Sequence, residues 1–230
     1  MTDGREAQKQ AAAKAAVKYV QNGMVLGLGT GSTAFYVIQE IGERWRAGSL
    51  TNIVGIPTSE KTATQVASYG IPLGTLRSHP EVDLAIDGAD EVDPTLELVK
   101  GLGGALLREK QVESAARRFV VVVDEGKLVP RLGTKAPLPV EVDRASWERE
   151  AMWLEGFGCT PVLRGGDAPF LTESSNFILD CSFASGIADC TALGRALDAH
   201  AGVLAHGLFL GMASEVVIAG AGGIRSLRRE

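Results

Sequence analysis

The sequence predicts an α/β protein: an open sheet built from alternating strands and helices, with a second, smaller α+β domain. Three observations carry that expectation. Short apolar runs alternate with helical patterns through the first 124 residues. One of these runs, FVVVVD (119–124), is apolar throughout, as in strands covered on both faces. After about Gly133 the rhythm changes to strand, helix, hairpin, helix, strand, the order of a ferredoxin-like unit.

Taken in order, residues 5–20 place Ala12, Ala15, Ala16, Tyr19 and Val20 at helical spacing, and Asn22-Gly23 ends that helix. MVLGLG (24–29) is a strand, TGSTAFYVIQEIGERWR a helix and TNIVGI (51–56) a strand. Pro57 to Tyr69 reads as a helix capped by Thr58 or Ser59, whose hydroxyls suit an N-cap. IPLGTL and VDLAID (82–87) are strand candidates, and Gly103 to Arg118 is helical. In the second region APLPVEVD (136–143) is extended, and a helix carries Trp147 and Trp153. Two extended runs flank Gly165-Gly166-Asp167 as a hairpin, Asp189 to His200 is helical, and GVLAHGLFLG is a strand. SEVVIAG (214–220) has the buried character of the first sheet, so the chain is expected to return there. The expected division is 1–132 plus 208–230 for the larger domain and 133–207 for the smaller. Right-handed crossovers are expected in the open sheet.

Composition bounds the function. With 45% apolar and 22% charged residues, 230 residues can bury a substantial core. A net charge of −5 disfavours a nucleic-acid partner, which needs a basic face against the phosphates. No apolar run has the length of a membrane span, and the first residues do not resemble a signal peptide, so a cytoplasmic protein is expected. Cys159, Cys181 and Cys190 are odd in number and lack C-x-x-C spacing, which points to reduced thiols. His79, His200 and His206 show no metal-ligand spacing.

Two glycine-rich turns hold the candidate chemistry. GLGTGSTA (27–34) lies between a strand and a helix, where free N–H groups form an anion site and glycine permits close approach. Thr30, Gly31, Ser32 and Thr33 supply the donors. A dinucleotide fingerprint fails at Ser32, and a Walker loop fails for want of lysine. A ligand-free tight turn stays open beside the anion reading, although three hydroxyls exceed what a turn needs.

The segment DGADEVDPTLELVKGLGGALLREK (87–110) is the richer one. Asp87 and Asp90 follow a strand at its carboxyl end, where open α/β sheets bind ligands, and Gly88-Ala89 lets both face one ligand. Glu91 and Asp93 are expected to face solvent. A solvated turn and a metal site are the competing readings, the latter weakened by the absence of calcium-loop alternation and of a nearby histidine. Lys100 beside Gly101, Leu102 and Gly103 suits a phosphate or an enolate oxygen, or else is a surface lysine. Glu109 has Ala105, Leu106, Val112 and Glu113 as helical neighbours, which places it by the apolar stripe. Partial desolvation there raises the basicity of a carboxylate, as a general base requires. A glutamate that reaches out to solvent is the alternative. Lys127, past the VVVV strand, is expected at the same crevice.

GTGSTA (29–34), DGADEVD (87–93), KGLGGALLREK (100–110) and PLPVEV (137–142) together resemble, in order and spacing, type A ribose-5-phosphate isomerase. The likeness spans nearly the whole chain. It implies an aldose-ketose isomerase of the pentose phosphate pathway that interconverts ribose 5-phosphate and ribulose 5-phosphate without metal or organic cofactor. It also implies a Rossmann-like large domain and a homodimer or homotetramer, with the smaller domain expected at the oligomer interface. By motif position Glu109 becomes the base that moves a proton between C1 and C2 through an enediolate. Asp87 becomes a residue for ring opening and hydroxyl protons with Asp90 beside it, and Lys100 the residue that stabilises the oxyanion. Thr30 to Thr33, Asp87 to Asp90 (including Gly88 and Ala89), Lys100 to Gly103 and Lys127 become substrate contacts. Leu102 departs from the glycine or charged residue usual there, so any role at that position passes through its backbone N–H.

Three rival readings fit less well. A sugar-phosphate deaminase would want a histidine in the 87–110 segment, and none is there. A sugar-phosphate sensor would want a basic DNA-binding segment, and none is visible. A transferase using a glutamate nucleophile would be separated by a covalent trap with acyl-CoA.

Overall fold

A computed structural model describes residues 2–229, with side chains from residue 6. The chain divides into two compact units, Met1–Ala89 with Gln111–Lys127 and Met212–Glu230, and Asp90–Lys110 with Leu128–Gly211.

The first unit is an open sheet. Its strands are β1 (Val25–Leu28), β2 (Val54–Pro57), β3 (Leu84–Asp87), β6 (Phe119–Asp124), β12 (Glu215–Gly220) and β13 (Gly223–Arg228), with β4, β5 and β7 to β11 in the second unit. The spatial order is β13-β12-β6-β3-β1-β2. The five strands from β12 to β2 pair in parallel, and β13 folds back antiparallel on β12. Continuous burial of β3 and most of β6 and β12 explains why these segments are apolar without alternation. Helix α1 (Thr2–Val17) packs Ala12, Ala16 and Val17 onto Val120, Val122 and Val217. Helix α2 (Ser32–Arg46) turns Val37, Ile38 and Ile41 inward at helical spacing, and its Gly42 admits the Tyr69 ring, which a Cβ would approach to 2.2 Å. Helix α3 (Glu60–Ser68) is capped by Ser59, whose Oγ accepts the Thr62 N–H at 3.1 Å. IPLGTL, expected as a strand, forms a single parallel bridge between Leu73 and Gly55. Pro72 cannot donate to a ladder, which limits the pairing there.

In the second unit β7 (Leu138–Val142), α5 (Trp147–Glu155), β8 (Cys159–Leu163), β9 (Phe177–Phe183), α6 (Cys190–Ala199) and β10 (Val203–His206) follow in sequence. Their antiparallel sheet has the order β10-β7-β9-β8, the ferredoxin-like arrangement expected. Leu138, Val140, Val142, Leu179, Cys181, Leu193 and Leu197 fill its core. Asp189 caps α6 by accepting the Ala192 N–H at 2.8 Å. The three cysteines are free.

A third sheet, β11-β5-β4, joins Leu208–Phe209, Leu98–Val99 and Glu91–Val92. The run GVLAHGLFLG therefore breaks into β10 and β11 at Gly207, where a Cβ would lie 2.3 Å from the Lys100 carbonyl oxygen. Glu91, expected in solvent, is buried. Its carboxylate accepts backbone N–H groups from Gly133, Lys135 and Ala136, and so it knots β4 to the start of the β7 segment. Both residues of β4 are buried, and three peptide donors compensate the burial of this carboxylate. Asp93 instead organises its own turn, accepting from Thr95 and Glu97.

Candidate active site

In the first unit β1, β3 and β6 lie side by side, so the segments leaving their carboxyl ends are neighbours. Gly29 leaves β1 and donates to the Ile86 carbonyl at 3.1 Å. A Cβ on Gly29 would sit 2.0 Å from the Asp87 carboxyl carbon, so glycine is demanded by close approach. Asp87, the last residue of β3, is 1% exposed, and its Oδ1 accepts the Thr30 N–H at 3.1 Å and the Gly88 N–H at 2.6 Å. An oxygen of Glu113 lies within 4.8 Å of one of Asp87.

The Thr30 hydroxyl turns inward. It meets Thr58 and Ser59 at 2.8 Å and Thr62 at 3.2 Å, and Thr62 Oγ1 donates to the Gly29 carbonyl at 2.8 Å. Gly31, with φ 117°, then opens α2. The N–H groups of Gly31, Ser32 and Thr33 donate to no acceptor among the described residues, and Gly31 and Ser32 are exposed. Such a helix start has the donors and the dipole for an anion. Lys127 closes the 3-10 turn Glu125–Lys127 that follows β6.

In the second unit Lys100 follows β5, and its N–H donates to the Gly207 carbonyl at 2.9 Å. Gly101 and Gly104 take left-handed φ values of 104° and 81° to turn the chain toward helix α4 (Leu106–Ser114). Glu109 lies on the buried face of that helix with Leu106, as the stripe predicts. Its Oε2 is 3.4 Å from Lys100 Nζ, with the two side chains 5% and 3% exposed. Removing one member of so buried a pair typically costs about 3–5 kcal/mol, since the other charge is stranded. The Lys100 ammonium also stands 5.4 Å from the centre of the Phe209 ring, in cation–π range. Asp90 reaches into the same turn: its Oδ2 accepts the Leu102 N–H at 2.9 Å. That backbone donor, the one route left to Leu102, is therefore directed at Asp90, while the Leu102 side chain is exposed.

Behind this turn Lys110 Nζ donates to the Leu208 carbonyl at 2.9 Å and lies 4.9 Å from the Phe209 ring centre. Burial, with the Lys110 charge beside it, pushes the His206 imidazole down to about 4. Its Nδ1 accepts the Leu208 N–H, and its Nε2 faces Asp198 Oδ1 at 2.9 Å, partners that suit the neutral Nε2–H form.

Residues 54–223 match the family described as ribose 5-phosphate isomerase A (phosphoriboisomerase A). The chain belongs to that family. It is 50% identical over 224 residues to "Probable ribose-5-phosphate isomerase 2" of Arabidopsis thaliana, covering 94% of this chain and 84% of the relative. It is 52% identical over 221 residues to "Ribose-5-phosphate isomerase A" of Roseiflexus castenholzii, covering 95% and 94%. Among solved structures, a D-ribose-5-phosphate isomerase in complex with phospho-erythronic acid superposes with a TM-score of 0.95 at 40% identity, covering 97% of this chain and 99% of that one. The isomerase of Methanocaldococcus jannaschii gives 0.92 at 41% identity, covering 97% and 99%.

Within this isomerase fold the first unit holds Thr30 to Thr33, Asp87, Gly88, Ala89 and Lys127, and the second holds Asp90, Lys100 to Gly103 and Glu109. Several side chains at these places escaped the sequence reading. Thr62 joins the hydroxyl cluster around Thr30, and its other members, Thr58 and Ser59, were legible only as candidate helix caps. Phe209 and Arg164 touch the Lys100 turn from far along the chain. Glu113 alone carried a signal, lying one helical turn after Glu109.

Proposed function

We propose that this isomerase interconverts D-ribose 5-phosphate and D-ribulose 5-phosphate by moving one proton between C1 and C2 through an enediolate. The observation that carries the reading is the buried Lys100–Glu109 pair. Proton abstraction beside a carbonyl needs a base and a cation or donor for the oxygen that becomes negative, and this pair supplies both. Glu109 is the base, which takes the proton from one carbon and returns it to the other. Lys100 stabilises the enediolate oxygen. Asp87, held by two N–H donors, serves ring opening and the hydroxyl protons, with Asp90 beside it in sequence. The open N–H groups of Gly31 to Thr33 offer a phosphate its donors, with Lys127 as a further cation, so that a distal anion orients the substrate. Gly88, Ala89 and the turn Lys100 to Gly103 line the sugar. The enzyme works in the cytoplasm as a homodimer or homotetramer through its smaller domain, as the likeness to its family implies, and the chemistry asks for no cofactor.

The test is an isomerase assay on ribose 5-phosphate with and without EDTA. Turnover is expected in both. No turnover in either would overturn the reaction, and loss only on chelation would overturn the metal-free scheme.

A further inference from the structure

Among the groups the scheme leaves unused, Arg164 is the best placed to act on it. It follows β8, and its guanidinium is held in a fork by Asp180, with Nε 2.8 Å from Oδ2 and Nη2 on Oδ1. The remaining Nη1 donates to two consecutive carbonyls, Gly101 and Leu102, each at 3.1 Å. Phe170, on the loop after Arg164, lies against Gly104 so closely that a Cβ there would be 2.6 Å from the ring. One planar cation thus fixes two successive peptide planes in the turn that follows Lys100.

Planarity has a consequence for the other side of those peptides. In a trans peptide the N–H points opposite to the C=O, so carbonyls drawn toward Arg164 send the Leu102 and Gly103 N–H groups away from it. The Leu102 N–H is taken by Asp90 Oδ2. The Gly103 N–H donates to no acceptor among the described residues, Gly103 is exposed, and a Cβ there would meet nothing within 4 Å. A guanidinium on the carbonyl end of the Leu102–Gly103 peptide also polarises its N–H end, as linked hydrogen bonds do.

We propose that Arg164 is a positioning residue: it aims and polarises the Gly103 N–H as a donor to the sugar-phosphate oxygen that becomes negative in the enediolate. Lysine cannot replace it, because a single ammonium cannot both engage Asp180 in a fork and span two carbonyls. This rests on the isomerase reading for its kinetic arm, so a binding arm that needs no turnover accompanies it.

In the kinetic arm, Arg164→Met and Arg164→Lys should each lower kcat by about 10–100-fold, the loss of one hydrogen bond to a charged group. KM should change little, the melting temperature should fall by several degrees as Asp180 loses its partner, and methylguanidinium added at tens of millimolar should restore part of the Arg164→Met rate. In the binding arm, the amide resonance of Gly103 should move on adding phospho-erythronic acid to the unmodified protein, and move much less in Arg164→Met. A Gly103 amide that ignores the ligand in the unmodified protein overturns the proposal. So does an Arg164→Met rate within about twofold of the original, or a loss that methylguanidinium leaves untouched. A protein without isomerase activity whose Gly103 amide still responds through Arg164 would instead overturn the catalytic scheme and leave the positioning role standing.

Discussion

At Gly29 the chain must turn without a side chain because the Asp87 carboxylate fills the space, whereas at Gly101 and Gly104 it turns through left-handed dihedral angles. Each turn precedes a helix, α2 after the first and α4 after the second. The first leaves three N–H groups open among the described residues and turns the Thr30 hydroxyl into an inward cluster, so it presents backbone donors with the exposed Ser32 beside them. The second has its carbonyls on Arg164 and one N–H on Asp90, and what it presents is the buried Lys100–Glu109 charge pair. A start of helix with open donors suits a permanent anion, which changes little during reaction. A desolvated base and cation suit charge that appears only in the transition state. The contrast teaches that similar glycine spacing can serve binding in one place and chemistry in the other.

The largest break in that contrast should come at the charge pair. Glu109→Gln is expected to lower kcat by about 10²–10⁴-fold with KM nearly kept, read by steady-state isomerase kinetics. Normal turnover would remove Glu109 as the base. Lys100→Ala should also act on kcat, and an effect confined to KM would make Lys100 a phosphate ligand and blur the two turns. Next comes stability. Gly29→Ala drives a Cβ into Asp87 and should cost roughly 1–3 kcal/mol, seen as a fall of several degrees in melting temperature. Gly103→Ala, with open space around it, should melt like the original chain. Ser32→Ala should then raise KM by up to about tenfold, the worth of one ordinary hydrogen bond, and spare kcat. A fall in kcat there would place chemistry at the first turn.

The last effect is one of pH. His206 takes its proton near pH 6.5 when unfolded but only near 4 when folded, because burial and Lys110 disfavour the charge, against the pull of Asp198. Its contribution to stability is therefore complete above pH 6.5 and drains away as pH falls toward 4. His206→Gln should flatten the pH dependence of unfolding in that window by about 1 kcal/mol per pH unit, measured by denaturant titration. An unchanged slope would show that the imidazole is not held neutral.

Much of this was legible in the residues because burial leaves a period. The valines of β6, the apolar stripe that carries Glu109 and the hairpin around Gly165-Gly166 all follow from spacing alone. Pairing partners far along the chain left no such trace. Glu91 read as a solvated loop residue because its three donors lie more than 40 residues away. Leu98–Val99 gave no strand signal because two residues are too few for alternation, and one of their two partner strands is the distant Leu208–Phe209. At the turn after Lys100 the glycines were visible, but the cation that grips the Gly101 and Leu102 carbonyls comes from more than 60 residues away.

The antiparallel strand β13 has a bearing on the life of the protein in a crowded solution. Parallel β12, with five buried residues in six, would otherwise offer a bare row of N–H and C=O groups to any passing chain. β13 covers that row with an exposed strand carrying Arg225 and Arg228, and the bridge at Leu73 shields part of β2 at the far edge. Paired and charged borders of this kind discourage strand-to-strand self-association. A chain clipped at Ala221 would keep the residues of both turns, yet it would present β12 as a template for aggregation.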